Sequence, residues 1–448
     1  MAERIHIEPG EVHQMLGRHL LTDGMKLVVD LKRSGGSRLV DARNGKRYLD
    51  MYTSFASAPL GINPPQLIDD PSFMTELAQV AVNKPANSDI YSIAYAEFVE
   101  TFVRVLGDPK LPHLFFIEGG ALAVENALKV AFDWKSRHNE AAGRSPHLGT
   151  RILHLTRAFH GRSGYTLSLT NTEPVKTNRF PKFDWPRIDV PAITFPLEDH
   201  LGDVIAAEQR ALEQARSAFL AYPYDIAAFI AEPIQGEGGD NHIRAEFFAA
   251  LKQIVHDKDA LFIFDEVQTG VGTTGTPWAY QQLGVQPDIV AFAKKAQLGG
   301  IMAGGRVDEV PDNVFAVSGR INSTWGGGLT DMVRSRRILE IIESEGLIEE
   351  AGAKGAQLVA GLAEVQGRTG RISNVRGRGL FVAFDVDTPK LRNSVISYLR
   401  RVERVIVLPC GIRSIRLRPA LSVTCDEIDE AVGAIDRAIS AVWSRRAS

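Results

Sequence analysis

A chain of 448 residues with 44% apolar side chains is long enough for two or three domains with sizeable cores, which excludes a disordered or fibrous polypeptide. Its 51 basic and 54 acidic residues are interspersed and leave a formal charge of -3, so no electrostatic footprint for nucleic acid or an anionic membrane is present, and small molecules are the expected ligands. No apolar run approaches the ~20 residues needed to span a bilayer, residues 1–8 (with Glu3, Arg4 and Glu8) hold no apolar leader core, and Cys410 and Cys425 are too few for a disulfide framework and lack zinc-site spacing, so a cytoplasmic protein with two free thiols is expected.

In chain order, the first strand-like patch is Leu39 to Tyr52, which has no partner nearby in sequence, so residues 1–70 are expected to pack with the C-terminal part. Five apolar runs follow: His113 to Ile117, Ile152 to Thr156, Ile226 to Ala231, Leu261 to Asp265 and Ile289 to Phe292. Helical spacing separates several of them. Ala121 to Lys135 repeats apolar residues at Leu122, Val124, Ala127, Leu128, Ala131 and Phe132, and Glu246 to His256 does so more briefly. The alternation predicts an α/β fold in which residues 71–330 form a large domain around a mostly parallel, doubly wound sheet. From Thr330 the texture changes. An amphipathic stretch through Ile338, Leu339, Ile341 and Ile342 leads to a glycine-interrupted run, Val375 to Val386, which predicts a smaller α/β domain over residues 331–448. Its last helix is expected to start at Thr424, with Glu427 three residues on completing a capping box.

The residues that carry chemistry sit at the ends of those runs. Glu118-Gly119-Gly120-Ala121 opens directly into a helical pattern, so small residues leave backbone N–H groups and a helix N-terminus free for a phosphate; two glycines before a helix are otherwise a tight turn. Phe159-His160-Gly161-Arg162 offers an aromatic face beside a guanidinium whose planar fork holds a carboxylate at two points. Glu232-Pro233-Ile234-Gln235-Gly236-Glu237 places two carboxylates in a strand-end loop, and in Ile415-Arg416-Leu417-Arg418 alternation sets Arg416 opposite its apolar neighbours. Most telling is the pair formed by Asp265, at the end of Phe262-Ile263-Phe264-Asp265, and a lysine after Asp288-Ile289-Val290-Ala291-Phe292-Ala293. An amine and a carboxylate at neighbouring strand ends suit pyridoxal phosphate: the lysine forms a Schiff base with the aldehyde, and the aspartate keeps the ring nitrogen protonated. Lys294 and Lys295 are both available, and spacing alone does not choose between them.

Together these segments resemble the class III, or omega-amino-acid, aminotransferases of the aspartate aminotransferase fold, a pyridoxal-phosphate fold of type I. The likeness covers nearly the whole chain: Asp265-Glu266-Val267-Gln268-Thr269-Gly270, Pro287-Asp288-Ile289-Val290 before the lysine, Glu232-Pro233, and Thr324 before glycines stand in the expected order. Within that class, Glu118 to Lys129 and Lys182-Phe183-Asp184-Trp185-Pro186-Arg187 are most similar to the members that act on the terminal amine of L-lysine, with ornithine or 4-aminobutyrate enzymes as the alternative. The resemblance implies transamination from L-lysine to 2-oxoglutarate, with Lys294 bonded to the cofactor and Asp265 at its ring nitrogen. It further implies that Gly120 and Ala121 bind the phosphate through their backbone, that Phe159 stacks on the ring, and that Gln268 lies by the ring oxygen and the substrate. Thr324 is expected at the phosphate of a neighbouring subunit, which implies a homodimer with shared sites. Ala123, Gly328 and Ala420 depart from the wider pattern, the first in favour of the lysine subgroup. One site must then accept two unlike substrates, and the expectation is that Arg162 holds the remote carboxylate of both, while Glu237 covers Arg416 for lysine and swings away for 2-oxoglutarate.

Overall fold

The computed structural model describes residues 5–447, so Glu3 and Arg4 lie outside the described residues. Its centre is a seven-stranded sheet of β1 (His113–Ile117), β2 (Arg151–Leu155), β3 (Arg187–Ile188), β4 (Ile226–Ala231), β5 (Leu261–Asp265), β6 (Ile289–Phe292) and β7 (Gly299–Ala303), in the spatial order β1-β7-β6-β5-β4-β2-β3. Every pairing is parallel except those of β7, which runs antiparallel to both neighbours. The α/β fold expected from the alternating runs is the one observed, and all five runs are strands of this sheet to within a residue at each end.

Strands β4, β5 and β6 are buried along their whole length, as continuous apolar runs must be when helices cover both faces of a sheet. Their side chains alternate between two cores. Ile230, Ile263, Ile289 and Ala291 meet Val124, Ala127, Leu128 and Ala131 of the helix Gly120–Ala141, while Phe229, Phe262, Phe264 and Phe292 join Phe98, Phe102, Phe247 and Phe248 on the other face.

A second, four-stranded antiparallel sheet orders Ser373–Arg378, Phe381–Asp385, Ser414–Leu417 and Leu408–Cys410, with the helices Leu347–Thr369, Pro389–Tyr398 and Cys425–Ala447 against it and one another. The glycine-interrupted run is therefore a hairpin, turning at Gly379, whose φ of +53° lies in the left-handed region that favours glycine. At the last helix, the Thr424 N–H donates to the Glu427 carboxylate at 3.1 Å and the Glu427 N–H to the Thr424 hydroxyl at 3.2 Å, the reciprocal cap the sequence predicts.

The N-terminal strands Arg38–Val40 and Arg47–Asp50 form a third sheet with Val405–Ile406, which pairs in parallel with the second of them. Two bonds extend that seam: Thr53 Oγ1 donates to the Arg418 carbonyl at 2.6 Å, and the Arg418 N–H to the Met51 carbonyl at 2.7 Å. Among the described residues no helix is long and apolar enough to cross a membrane.

Candidate active site

The C-terminal ends of the parallel strands open into one cavity of about 570 Å³, the position where ligands enter doubly wound sheets. Gly119, Gly120 and Ala121 reach its wall after β1, Phe159 to Arg162 after β2, Glu232 after β4, Asp265 and Gln268 at and after β5, and Lys294 after β6; Ser57, Gln297 and Arg334 complete it.

Lys294 begins a short 3-10 turn, Lys294–Ala296, with a φ of +54°. That left-handed step ends the strand alternation and sends the two neighbouring amines to different places. Lys294 lines the cavity, whereas buried Lys295 donates its Nζ to the Gln268 carbonyl at 2.8 Å and does not reach the cavity wall. Burial pushes the Lys294 amine down to about 8; Arg416 pushes the same way, and Asp265 and Glu232 oppose it.

Asp265 is buried, and each of its oxygens has a partner in the chain. One oxygen accepts the Val267 N–H at 3.0 Å and the other accepts from His160 Nδ1 at 2.7 Å. With Nδ1 donating, the Nε2 atom of His160 is buried without a protein partner. The sequence reading gave His160 no role, although its place beside Phe159 at a strand end was the available signal. Glu232 is the other buried acid here: burial pushes it up to about 7, with His160 lowering and Asp265 raising it further. Its two oxygens accept the N–H groups of Phe159 and Gly236, each at 3.0 Å, and so tie together the loops after β2 and β4.

Gly119 precedes the 22-residue helix Gly120–Ala141 with a φ of +88°, and open space lies where its side chain would be. Gly119, Gly120 and Ala121 all line the cavity, so the N-terminus of that helix borders it, which suits a phosphate. Phe159 supplies an aromatic face, and the Arg162 guanidinium carbon and Lys176 Nζ stand 6.0 and 5.5 Å from its ring centre. Gln268 is held from behind, its Oε1 accepting from Arg418 Nε and Nη2 at 3.2 and 3.1 Å. A Cβ at Gly236 would overlap the Gln268 amide, so glycine there leaves that side chain its place.

Glu237 and Arg416 stand next to this cavity rather than on its wall. Arg416, only 2% exposed on the strand Ser414–Leu417, donates Nη2 to Glu237 at 2.6 Å and directs Nη1 at Gln268 Oε1 from 3.5 Å. Burial pushes the Glu237 carboxyl up, but Arg416 and then Lys176 outweigh it and hold the group below its usual range. Thr324 is exposed and stands outside the cavity of its own chain; its carbonyl accepts from the Ser88 hydroxyl at 3.4 Å. Amine, buried carboxylate, aromatic face and helix N-terminus around one cavity form the donor set that a phosphorylated pyridine aldehyde requires.

Comparison with known proteins points the same way. The family model for class-III aminotransferases matches residues 22–439. The chain is 61% identical over 435 residues to the L-lysine-epsilon aminotransferase of Mycobacterium tuberculosis, covering 97% of this chain and 96% of that one. It is 57% identical over 433 residues to the L-lysine-epsilon aminotransferase of Streptomyces clavuligerus, covering 96% and 94%. The solved lysine aminotransferase from M. tuberculosis in its internal aldimine form superposes with a TM-score of 0.96 at 61% identity, over 97% of this chain and all (100%) of that one.

Proposed function

Because the chain belongs to the class-III aminotransferases, we infer that its cavity binds pyridoxal phosphate and removes the terminal amino group of L-lysine, leaving 2-aminoadipate 6-semialdehyde. The observation that carries this reading is near-complete likeness to L-lysine-epsilon aminotransferases, with Lys294 and Asp265 on one cavity wall. As acceptor of the nitrogen we propose 2-oxoglutarate, which becomes L-glutamate; the two cationic groups Arg162 and Arg416 match its two carboxylates.

Pyridoxal phosphate supplies an aldehyde that takes up the amine and a ring that draws electrons from the substrate carbon. The remaining roles belong to the chain. The N–H groups of Gly120 and Ala121 would hold the phosphate, Phe159 would cover the ring, and Gln268 would stand by the ring oxygen. Asp265, oriented by His160, would face the ring nitrogen and favour its protonated form. Lys294 would hold the aldehyde and serve as the base that takes the proton from the substrate carbon, a task favoured by the burial that lowers its amine to about 8. Arg162 binds the remote carboxylate of either substrate. Glu237 covers Arg416 while the methylenes of lysine lie beside it and uncovers it for 2-oxoglutarate.

We further propose a homodimer in which Thr324 reaches the partner's phosphate. Ile90, Tyr91 and Ile93 are 67%, 76% and 80% exposed on the segment whose Ser88 touches Thr324, an apolar surface suited to a second copy. We place the protein in the cytoplasm, where free Cys410 and Cys425 stay reduced. We divide it into an N-terminal segment to residue 70, a large domain to 330 and a small one beyond, in keeping with the separate sheets of residues 113–303 and 373–417.

The test is nitrogen tracing. L-Lysine labelled at its terminal nitrogen should give labelled glutamate, whereas label at the α-nitrogen should stay in the semialdehyde. Faster conversion of ornithine or 4-aminobutyrate than of lysine would overturn the substrate assignment.

A further inference from the structure

Glu237 is held by two cations at once. Its Oε2 accepts from Arg416 Nη2 at 2.6 Å and its Oε1 from Lys176 Nζ, also at 2.6 Å. Lys176 closes the 3-10 turn Pro174–Lys176, and its side chain is only 9% exposed. It also meets the Phe159 ring, 5.5 Å from its centre, the hydroxyl of Thr172 at 3.4 Å and the carboxylate of Glu173 at 3.5 Å, the last largely in solvent and therefore a weak partner. The chemistry described so far does not use Lys176.

With Arg416 as its only partner, Glu237 would become a partly buried, unpaired carboxylate whenever a dicarboxylate claimed the guanidinium, and that desolvation cost would oppose the second half-reaction. Two cations sharing one carboxylate change this. The Oε1 bond persists while Oε2 is withdrawn, so the carboxylate pivots about the ammonium without losing all compensation. Room for the pivot exists, because Glu237 also lines a separate cavity of about 630 Å³ whose wall includes Thr172 and Glu173 of the Lys176 turn.

We propose that Lys176 is a positioning residue that keeps Glu237 paired when Arg416 passes to the second carboxylate of 2-oxoglutarate or glutamate, and so sets the balance between the two half-reactions. The proposal rests on the roles given above to Glu237 and Arg416. It identifies Lys176 as a specificity determinant that acts through another residue and touches neither substrate.

The experiment compares holoenzyme carrying Lys176→Gln or Lys176→Arg with the parent protein, with Lys176→Met substituting for the glutamine variant should that one fail to fold. Lysine and glutamate half-reactions are followed separately by single-turnover absorbance. Binding of glutarate, a five-carbon dicarboxylate with no carbonyl to react, is compared with that of hexanoate by calorimetry. Lys176→Gln should lower the glutamate-to-lysine rate ratio about tenfold and weaken glutarate about tenfold relative to hexanoate, the scale of a close charge pair, while Lys176→Arg should restore both. In a Glu237→Ala background the glutamine variant should move neither ratio. Equal losses in both half-reactions, a shift in favour of glutamate, or the same shift without Glu237 would each overturn the proposal. Failure of the underlying reading looks different: Glu237→Ala alone would then depress both half-reactions equally.

Discussion

In the proposed reaction a buried guanidinium faces methylenes in one half-reaction and a carboxylate in the next, and Glu237, 2.6 Å from Arg416, is the removable counter-charge assigned to it. Glu237→Ala should slow the lysine half-reaction by about 100-fold, near the lower end of the cost of stranding a buried charge, and spare the glutamate half-reaction; separate single-turnover measurements check this. A second residue bears on stability rather than catalysis. Glu266 is buried, accepts from the Thr269 hydroxyl and the Tyr280 N–H, and is pushed by burial from an ordinary 4.5 up to about 7. The folded state then binds more protons than the unfolded one between those values, so this group's contribution to stability falls as pH rises from 4.5 to about 7. Glu266→Gln keeps an acceptor for Tyr280 and should flatten that part of the stability profile, gaining at most about 3 kcal/mol above pH 7 in chemical denaturation. Glu232, raised for the same reason, should leave part of the slope in place.

The helix Leu347–Thr369 packs so closely on the small-sheet hairpin that a Cβ at Gly355 would overlap the Gly379 carbonyl. Gly355→Ala, which would gain about 1 kcal/mol in an isolated helix, should instead destabilise the protein by about 1 to 3 kcal/mol, read as a lowered denaturation midpoint. The same close packing explains what the sequence concealed. Strands β4 to β6 and the cap at Thr424 were legible because burial on two faces and a local reciprocal bond write directly into residue type. Strand β7 was not, because Gly299 and Gly300 stand where a side chain would strike the Gly119 carbonyl or, at 2.5 Å, the Phe292 ring, so packing overrode strand propensity. In the site, Lys294 and Asp265 announce themselves at strand ends. Lys176, 61 residues from Glu237 in an unremarkable turn, and His160, whose partner Asp265 lies 105 residues on, acquire meaning only once the chain is folded.

For the assembled molecule, the proposed homodimer with shared sites makes a testable arithmetic. Neither Lys294→Ala nor Thr324→Ala homodimers should retain full activity, but hybrids formed by mixing them should contain one site with both native residues and one with neither. Activity should therefore reappear on mixing, and light scattering of the parent protein should give twice the 49.1 kDa chain mass. Arg418 ties the N-terminal seam and the small sheet to the site. It binds Asp240 at 2.6 Å and Gln268 at 3.1 Å, donates its main-chain N–H to the Met51 carbonyl, accepts the Thr53 hydroxyl at its own carbonyl, and continues the strand that carries Arg416. A rivet of this kind denies Arg416 any retreat, because backing it away would mean prising apart the N-terminal seam, the small sheet and the loop after β5 together. In the proposed reaction, accommodation of two differently charged guests then falls to rotation about single bonds in one acidic side chain while the scaffold stays still.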